Sequence, residues 1–234
     1  MSALFGITPG ALRVRAHRAR RELRETLLSE WRERPQREEV TMMVMVMAVD
    51  VQDVVLWMPR DWKPKPPEGG AFYPETAPAK KCVVLLKERE GRRLLPIWIG
   101  PHEGDMLTLH LVGHQMLRPL THDFVARLLE STQVVIERAV VSELRGDTFI
   151  ATVTVRAGDR VREVDARPSD AINLAARVNA PLYVDDSVMA QAGIEGLDVP
   201  RELNEATLRY GGVVDEDHDW RSGRDVMTAM LKRE

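Results

Sequence analysis

The stretch Glu163-Val-Asp165-Ala-Arg167-Pro168-Ser169-Asp170-Ala-Ile-Asn-Leu-Ala-Ala-Arg177 constrains the fold most, because its pattern changes in mid-course. Ahead of Pro168 it reads as the end of a strand. Beyond it Ala171, Ile172, Leu174, Ala175 and Val178 recur at helical spacing. Pro168 has no N–H to lose in a first helical turn, and its fixed φ suits that position. Ser169 and Asp170 carry side-chain oxygens that accept hydrogen bonds from the unpaired N–H groups of a helix start. Two carboxylates (Asp165, Asp170), one guanidinium (Arg167) and one hydroxyl (Ser169) thus fall within six residues. A helix start has free donors and a partial positive charge, and it attracts phosphate. A well-capped helix whose Arg and Asp pair locally accounts for the same residues, and both readings stand at this point.

The 234 residues, 44% of them hydrophobic, suffice for one substantial domain with extensions or for two small ones. With 33 basic and 36 acidic residues, net charge argues neither for nor against a polyanionic partner. Cys82 is the only cysteine, so no intrachain disulfide forms and a reducing compartment is expected. No apolar run approaches the roughly 18 residues of a membrane span. The first residues lack the basic region and apolar core of a signal peptide. These features predict a soluble, bacterial-type, cytoplasmic protein.

Residues 8–34 read as one amphipathic helix, with Leu12, Ala16, Ala19, Leu23, Leu27 and Trp31 as its apolar stripe. Arg13, Arg15, Arg18, Arg20 and Arg21 make residues 1–38 a basic arm suited to nucleic acid, a membrane surface or a protein partner. Packing of the arm on its own domain is the plainer alternative. Residues 40–51 are dense in Val and Met and predict a buried strand that continues to 58. Residues 59–80 contain Pro59, Pro64, Pro66, Pro67, Pro74 and Pro78 and read as an inserted loop. A hairpin at 81–87 and 92–99 precedes a helix from 101 to about 116. A second helix follows the polar junction Arg118-Pro-Leu-Thr121-His122-Asp123. Strands are expected at 133–144, 148–156 and 161–166, then the helix at 168, a short strand at 180–184 and a short helix at 186–192. Residues 195–234 read as an acidic, turn-rich tail ending in a helix around Val226, Met227, Met230 and Leu231. Runs of strands broken by helices, without regular βαβ alternation, predict an α+β fold with a mixed or antiparallel sheet. The main domain is placed at 40–194.

Three ordered blocks carry a family resemblance: Leu95-Pro-Ile-Trp-Ile-Gly100-Pro-His-Glu103, Arg118-Pro-Leu-Thr-His122-Asp123 and Asp165-Ala-Arg-Pro-Ser-Asp170-Ala-Ile. Over roughly residues 42–193 the chain resembles the bifunctional nuclease family. The resemblance implies an α+β domain assembled as a homo-oligomer, dimer or trimer, and cleavage of RNA and DNA. Separately, residues 6–24 resemble the recognition-helix end of sigma-factor region 4. The preceding helices of that helix-turn-helix are missing, so this segment reads as a remnant rather than a promoter reader.

Phosphodiester cleavage needs a base for the attacking oxygen, a positive group for the developing charge and an acid for the leaving oxygen. His122, Asp123, Asp165 and Asp170 are the candidate catalytic residues. Arg118, Arg167 and Ser169 are the candidate phosphate binders. Glu103, Asp165 and Asp170 are candidate ligands for Mg²⁺. Asp123 faces away from its neighbour His122 if both are helical, which suits it better to a cap or ligand role. His110 and His114, with Glu103 two turns earlier, have spacing that would hold zinc on a helix. The alternatives are a non-catalytic nucleic-acid-binding or regulatory module, and an oligomeric scaffold whose junction residues only cap helices.

Overall fold

The structure is a computed structural model that describes residues 45–63, 81–209 and 214–231. The basic arm with Arg13, Arg15, Arg18, Arg20 and Arg21 lies outside the described residues, as does the inserted loop from 64 to 80. The described chain begins with three strands, β1 (Val46–Pro59), β2 (Lys81–Glu88) and β3 (Leu94–Ile99). Two helices follow, α1 (Pro101–Leu111) and α2 (Thr121–Ser131). A meander of β4 (Val134–Arg145), β5 (Thr148–Ala157) and β6 (Arg160–Ala166) leads into α3 (Pro168–Val178). Then come β7 (Leu182–Asp185), α4 (Asp186–Ala192), α5 (Val199–Arg209), β8 (His218–Ser222) and α6 (Gly223–Leu231).

The fold is α+β. The strand order is β3-β2-β1-β7-β4-β5-β6, and β8 pairs with the far end of β1. Among the described residues only the β4–β7 pairing is parallel, because α3 carries the chain back before β7 enters. Neighbouring residues of β1 and β2 point to opposite faces. Val54, Leu56 and Met58 enter the main core with Cys82, Val84 and Leu86. Val55 faces the other way with Val83 and Leu85, beneath Leu203 of α5. Burial on both faces is why this part of the sequence is a continuous apolar run rather than an alternation. At the other end β6 is exposed along nearly its whole length, and Arg160, Arg162, Glu163 and Asp165 mark it as an outer edge strand.

Helix α3 packs on β4 and β5, and α1 and α2 pack on α3. Ala171, Ile172 and Ala175 form its inward face. Burying Ile172 alone contributes about 1.5–3 kcal/mol.

Two spans differ from expectation. Helix α1 stops at Leu111 rather than near 116. Gly113 adopts φ +70°, its N–H donates to His110 O, and the His114 N–H donates to Leu109 O. This is a Schellman termination, which only a residue tolerant of the left-handed region closes cheaply. The second difference is the tail. Residues 195–221 hold helix α5 and strand β8 instead of turns alone. Leu203, Ala206 and Thr207 recur at helical spacing and are buried, while Trp220 packs against the Leu203 cluster. Charged residues dominate the composition there and conceal the short apolar period.

Candidate functional site

The strand-to-helix junction forms where expected, with Arg167 as the N-cap residue in extended conformation. No side chain caps this helix. The expectation that Ser169 and Asp170 cap it is therefore corrected. Ser169 is buried in the first turn. The Asp170 carboxylate is taken instead by two side chains from outside the helix backbone. Arg167 Nε donates to Asp170 Oδ2 at 2.8 Å, and His122 Nε2 lies 3.2 Å from Asp170 Oδ1. Arg167 Nη2 also donates to Glu103 Oε1 at 3.0 Å. Four groups from three elements thus meet at one helix start: Glu103 from α1, His122 from α2, and Arg167 and Asp170 from α3.

The groups differ in access to solvent. The Arg167 side chain is 66% exposed, Asp170 33% and Glu103 19%. His122 is buried, and its Nδ1 has no hydrogen-bond partner among the described residues. Arginine and aspartate therefore face outward, with histidine behind them. Burial pushes the Asp170 carboxyl up, but the hydrogen bonds from Arg167 and His122 outweigh it and hold the group below the usual carboxylate range. The Asp170 hydrogen bond, and then Glu103, push the Arg167 guanidinium further up.

Asp123 lies in a different network. Its carboxylate accepts the Leu120 N–H at 3.0 Å, which caps α2, and Arg177 Nε donates to it at 2.6 Å. Arg177 is almost wholly buried and also donates to Asn173 and to Met106 O. Asn173 donates to Ser169 O and Glu103 O. These two polar residues bind α1, α2 and α3 together and so set His122 against Asp170. Sequence reasoning assigned neither of them a role. The available signal was polar positions at 170, 173 and 177, spaced by three and four along an otherwise apolar helix.

The remaining expected residues do not join the cluster. Asp165 sits exposed on β6, in register with Thr152. Arg118 is exposed in the loop before α2. Glu103 and Asp170 converge on the Arg167 guanidinium, so two of the three expected Mg²⁺ ligands already hold a fixed cation and the third lies apart. Among the described residues no three His, Cys, Asp or Glu side chains gather as a metal would need. The donor set fits a guanidinium bridge, not a hexacoordinate ion. The zinc spacing fails for a separate reason. Termination at Leu111 takes His114 off the helix, and His110 Nε2 lies 3.1 Å from Ala176 O.

Beside the cluster opens a cavity of about 560 Å³. Arg167 and Ser169 form one wall, and Trp98, Phe149 and Thr207 contribute to the others. Glycine is required next to it at 104, where a Cβ would run into Cys82 Sγ. That close approach seats α1 against β2.

A histidine–carboxylate pair with an exposed arginine beside it can move a proton and hold an anion. The chain belongs to the bifunctional nuclease domain family, whose domain matches residues 84–196. That span contains Glu103, His122, Arg167 and Asp170. The chain is 39% identical over 128 residues to an uncharacterized protein of Mycobacterium tuberculosis, covering 55% of this chain and 74% of that protein. It is 26% identical over 145 residues to bifunctional nuclease 2 of Oryza sativa subsp. japonica, covering 61% of this chain but 44% of the rice protein. Bifunctional nuclease 2 of Arabidopsis thaliana is 26% identical over 161 residues, 68% of this chain and 48% of that protein. Among the described residues no helix is long and apolar enough to cross a membrane.

Proposed function

We propose that the chain hydrolyses phosphodiester bonds of RNA or DNA at the Arg167–Asp170–His122–Glu103 cluster. The observation that carries this reading is the shared Asp170 carboxylate, which accepts from the guanidinium on both oxygens and meets the imidazole at Oδ1. In this reading Arg167 leaves Glu103 for a substrate phosphate and holds its developing charge, aided by the start of α3. The His122–Asp170 pair acts as one proton-transfer unit. It takes the proton of the attacking water and returns it to the leaving oxygen. Asp123 acts as a positioning residue through Arg177, and Asp165 has no assigned step.

The test is turnover of single-stranded RNA and DNA by the purified full chain, with Mg²⁺ and with EDTA. His122→Ala and Asp170→Asn should each lower turnover by about 10²–10⁴-fold, the usual contribution of acid–base groups. Unchanged turnover in both variants removes this site. The EDTA arm tests the Mg²⁺ expectation, against which the pairing of Glu103 and Asp170 with Arg167 speaks.

One observation favours a second reading, a non-catalytic nucleic-acid-binding module. His122 Nδ1 is closed off from solvent, so the ring presents no free nitrogen to substrate. That reading expects salt-sensitive binding without turnover, weakened by deletion of residues 1–38. We also infer a homo-oligomer. Phe124 and Leu128 share one face of α2 at 57% and 49% exposure, and Val161 and Val164 lie exposed on the β6 edge. Light scattering measures the mass directly, and a monomer at all concentrations removes this inference.

A further inference from the structure

We propose that the cavity beside the cluster is a subsite for one unstacked nucleotide, with its base against Trp98 and Phe149 and its phosphate at the Arg167–Ser169 helix start. The proposal rests on the phosphodiester reading for its substrate class, but its binding is measurable without cleavage.

Three independent features of the cavity converge on this ligand. Its volume of about 560 Å³ suits a small molecule, within the roughly 300–1,000 Å³ usual for such sites. One wall offers an exposed guanidinium at a helix start, which suits a phosphate. The aromatic rings of Trp98 and Phe149 lie on the walls as well. Stacking on such rings tolerates any base, since every base has a π-face.

A free phosphate would use the guanidinium wall alone and a purely apolar ligand the aromatic wall alone, whereas a nucleotide uses both. Asp147, at the β4–β5 turn, also lines the cavity. Its carboxylate accepts hydrogen bonds from base or sugar donors.

The experiment is calorimetric titration of the full-length protein with adenosine 5′-monophosphate, adenosine and ribose 5-phosphate. The nucleotide is expected to bind at least tenfold more tightly than either fragment. Trp98→Leu and Phe149→Leu each remove a ring, and the nucleotide is expected to bind about 5–10-fold more weakly to either. Trp98→Phe, which retains a ring, is expected to weaken it less than Trp98→Leu. Affinity unchanged in both leucine variants overturns the proposal, as does a nucleotide that binds no better than ribose 5-phosphate. Nucleotide binding without nucleic-acid turnover leaves the subsite standing and removes the hydrolytic reading. Turnover without nucleotide binding removes the subsite alone.

Discussion

Arg177 is the side chain whose loss should be felt most widely. It is 4% exposed, and its partner Asp123 is 31% exposed. Replacement by Met keeps most of the stem and removes the guanidinium with its bonds to Asp123, Asn173 and Met106. Breaking a buried pair by deleting one partner costs about 3–5 kcal/mol. Asp123 retains some water, which places Arg177→Met at the lower end, about 3 kcal/mol. For a chain of this size that loss lowers Tm by roughly 6–12 °C. The assay is urea unfolding at pH 7, read as a shifted midpoint with unchanged slope.

The pH dependence gives a second reading of the same pair. Burial raises the Asp123 carboxyl, but the Leu120 N–H and Arg177 outweigh it and hold the group below its usual range. A lowered folded value adds stability above the unfolded value near 3.9, and that stability disappears as pH falls through the folded value. The gap between wild type and Arg177→Met should therefore narrow below about pH 4. Adding Asp123→Leu to Arg177→Met should recover part of the loss, because no unpaired carboxylate remains. A loss under about 1 kcal/mol at pH 7, or a gap that does not change with pH, would refute the argument.

Two further outcomes follow from buried groups on α1 and β2. Burial pushes the Asp105 carboxyl up to about 6, and one of its oxygens has no partner among the described residues. A folded value above the unfolded one means stability is full below about pH 4 and is lost as pH rises through 6, so Asp105→Asn should stabilise the protein at pH 8 by about 1–3 kcal/mol and have little effect at pH 4; equal effects at both, by urea titration, would contradict this. The Cys82 thiol is 1% exposed and pushed up to about 12, by burial first and then by Asp105 and Glu103. A thiol-reactive dye at pH 8 should label no cysteine in the native protein and one in denaturant, and fast native labelling would show that α1 opens from β2.

Much of the architecture was legible because period and punctuation agree. Gly146 and Pro168 each stand where a strand must turn or hand over to a helix, and both boundaries fall within a residue or two of expectation. The end of α1 was misread because Val112 and Met116 continue the apolar spacing past Gly113, whose left-handed φ outweighs that pattern. Helix α5 was missed because its inward face is short and includes Thr207, which a hydropathy pattern scores as polar. At the site the sequence pointed to the right helix start but not to how its residues divide. Asp123 and Asp170 each stand third in their helices, yet one caps a helix and binds a buried arginine while the other receives an exposed arginine and a histidine. Local patterns do not encode that difference, since the partners lie 48 and 54 residues apart in the chain.

Strand β7 deserves a mechanical reading. Among the described residues its four residues are the sole link within the sheet between two half-sheets: β1, β2, β3 and β8 on one side, and β4, β5 and β6 on the other. The cavity straddles this seam. Trp98 and Gly100 come from the first half, whereas Asp147, Phe149, Arg167 and Ser169 come from the second. The Arg167–Glu103 bond crosses the same divide. A small rotation about β7 would widen or narrow the cavity and stretch that bond in one movement, coupling the width of the cavity to the ion pairing of its arginine wall.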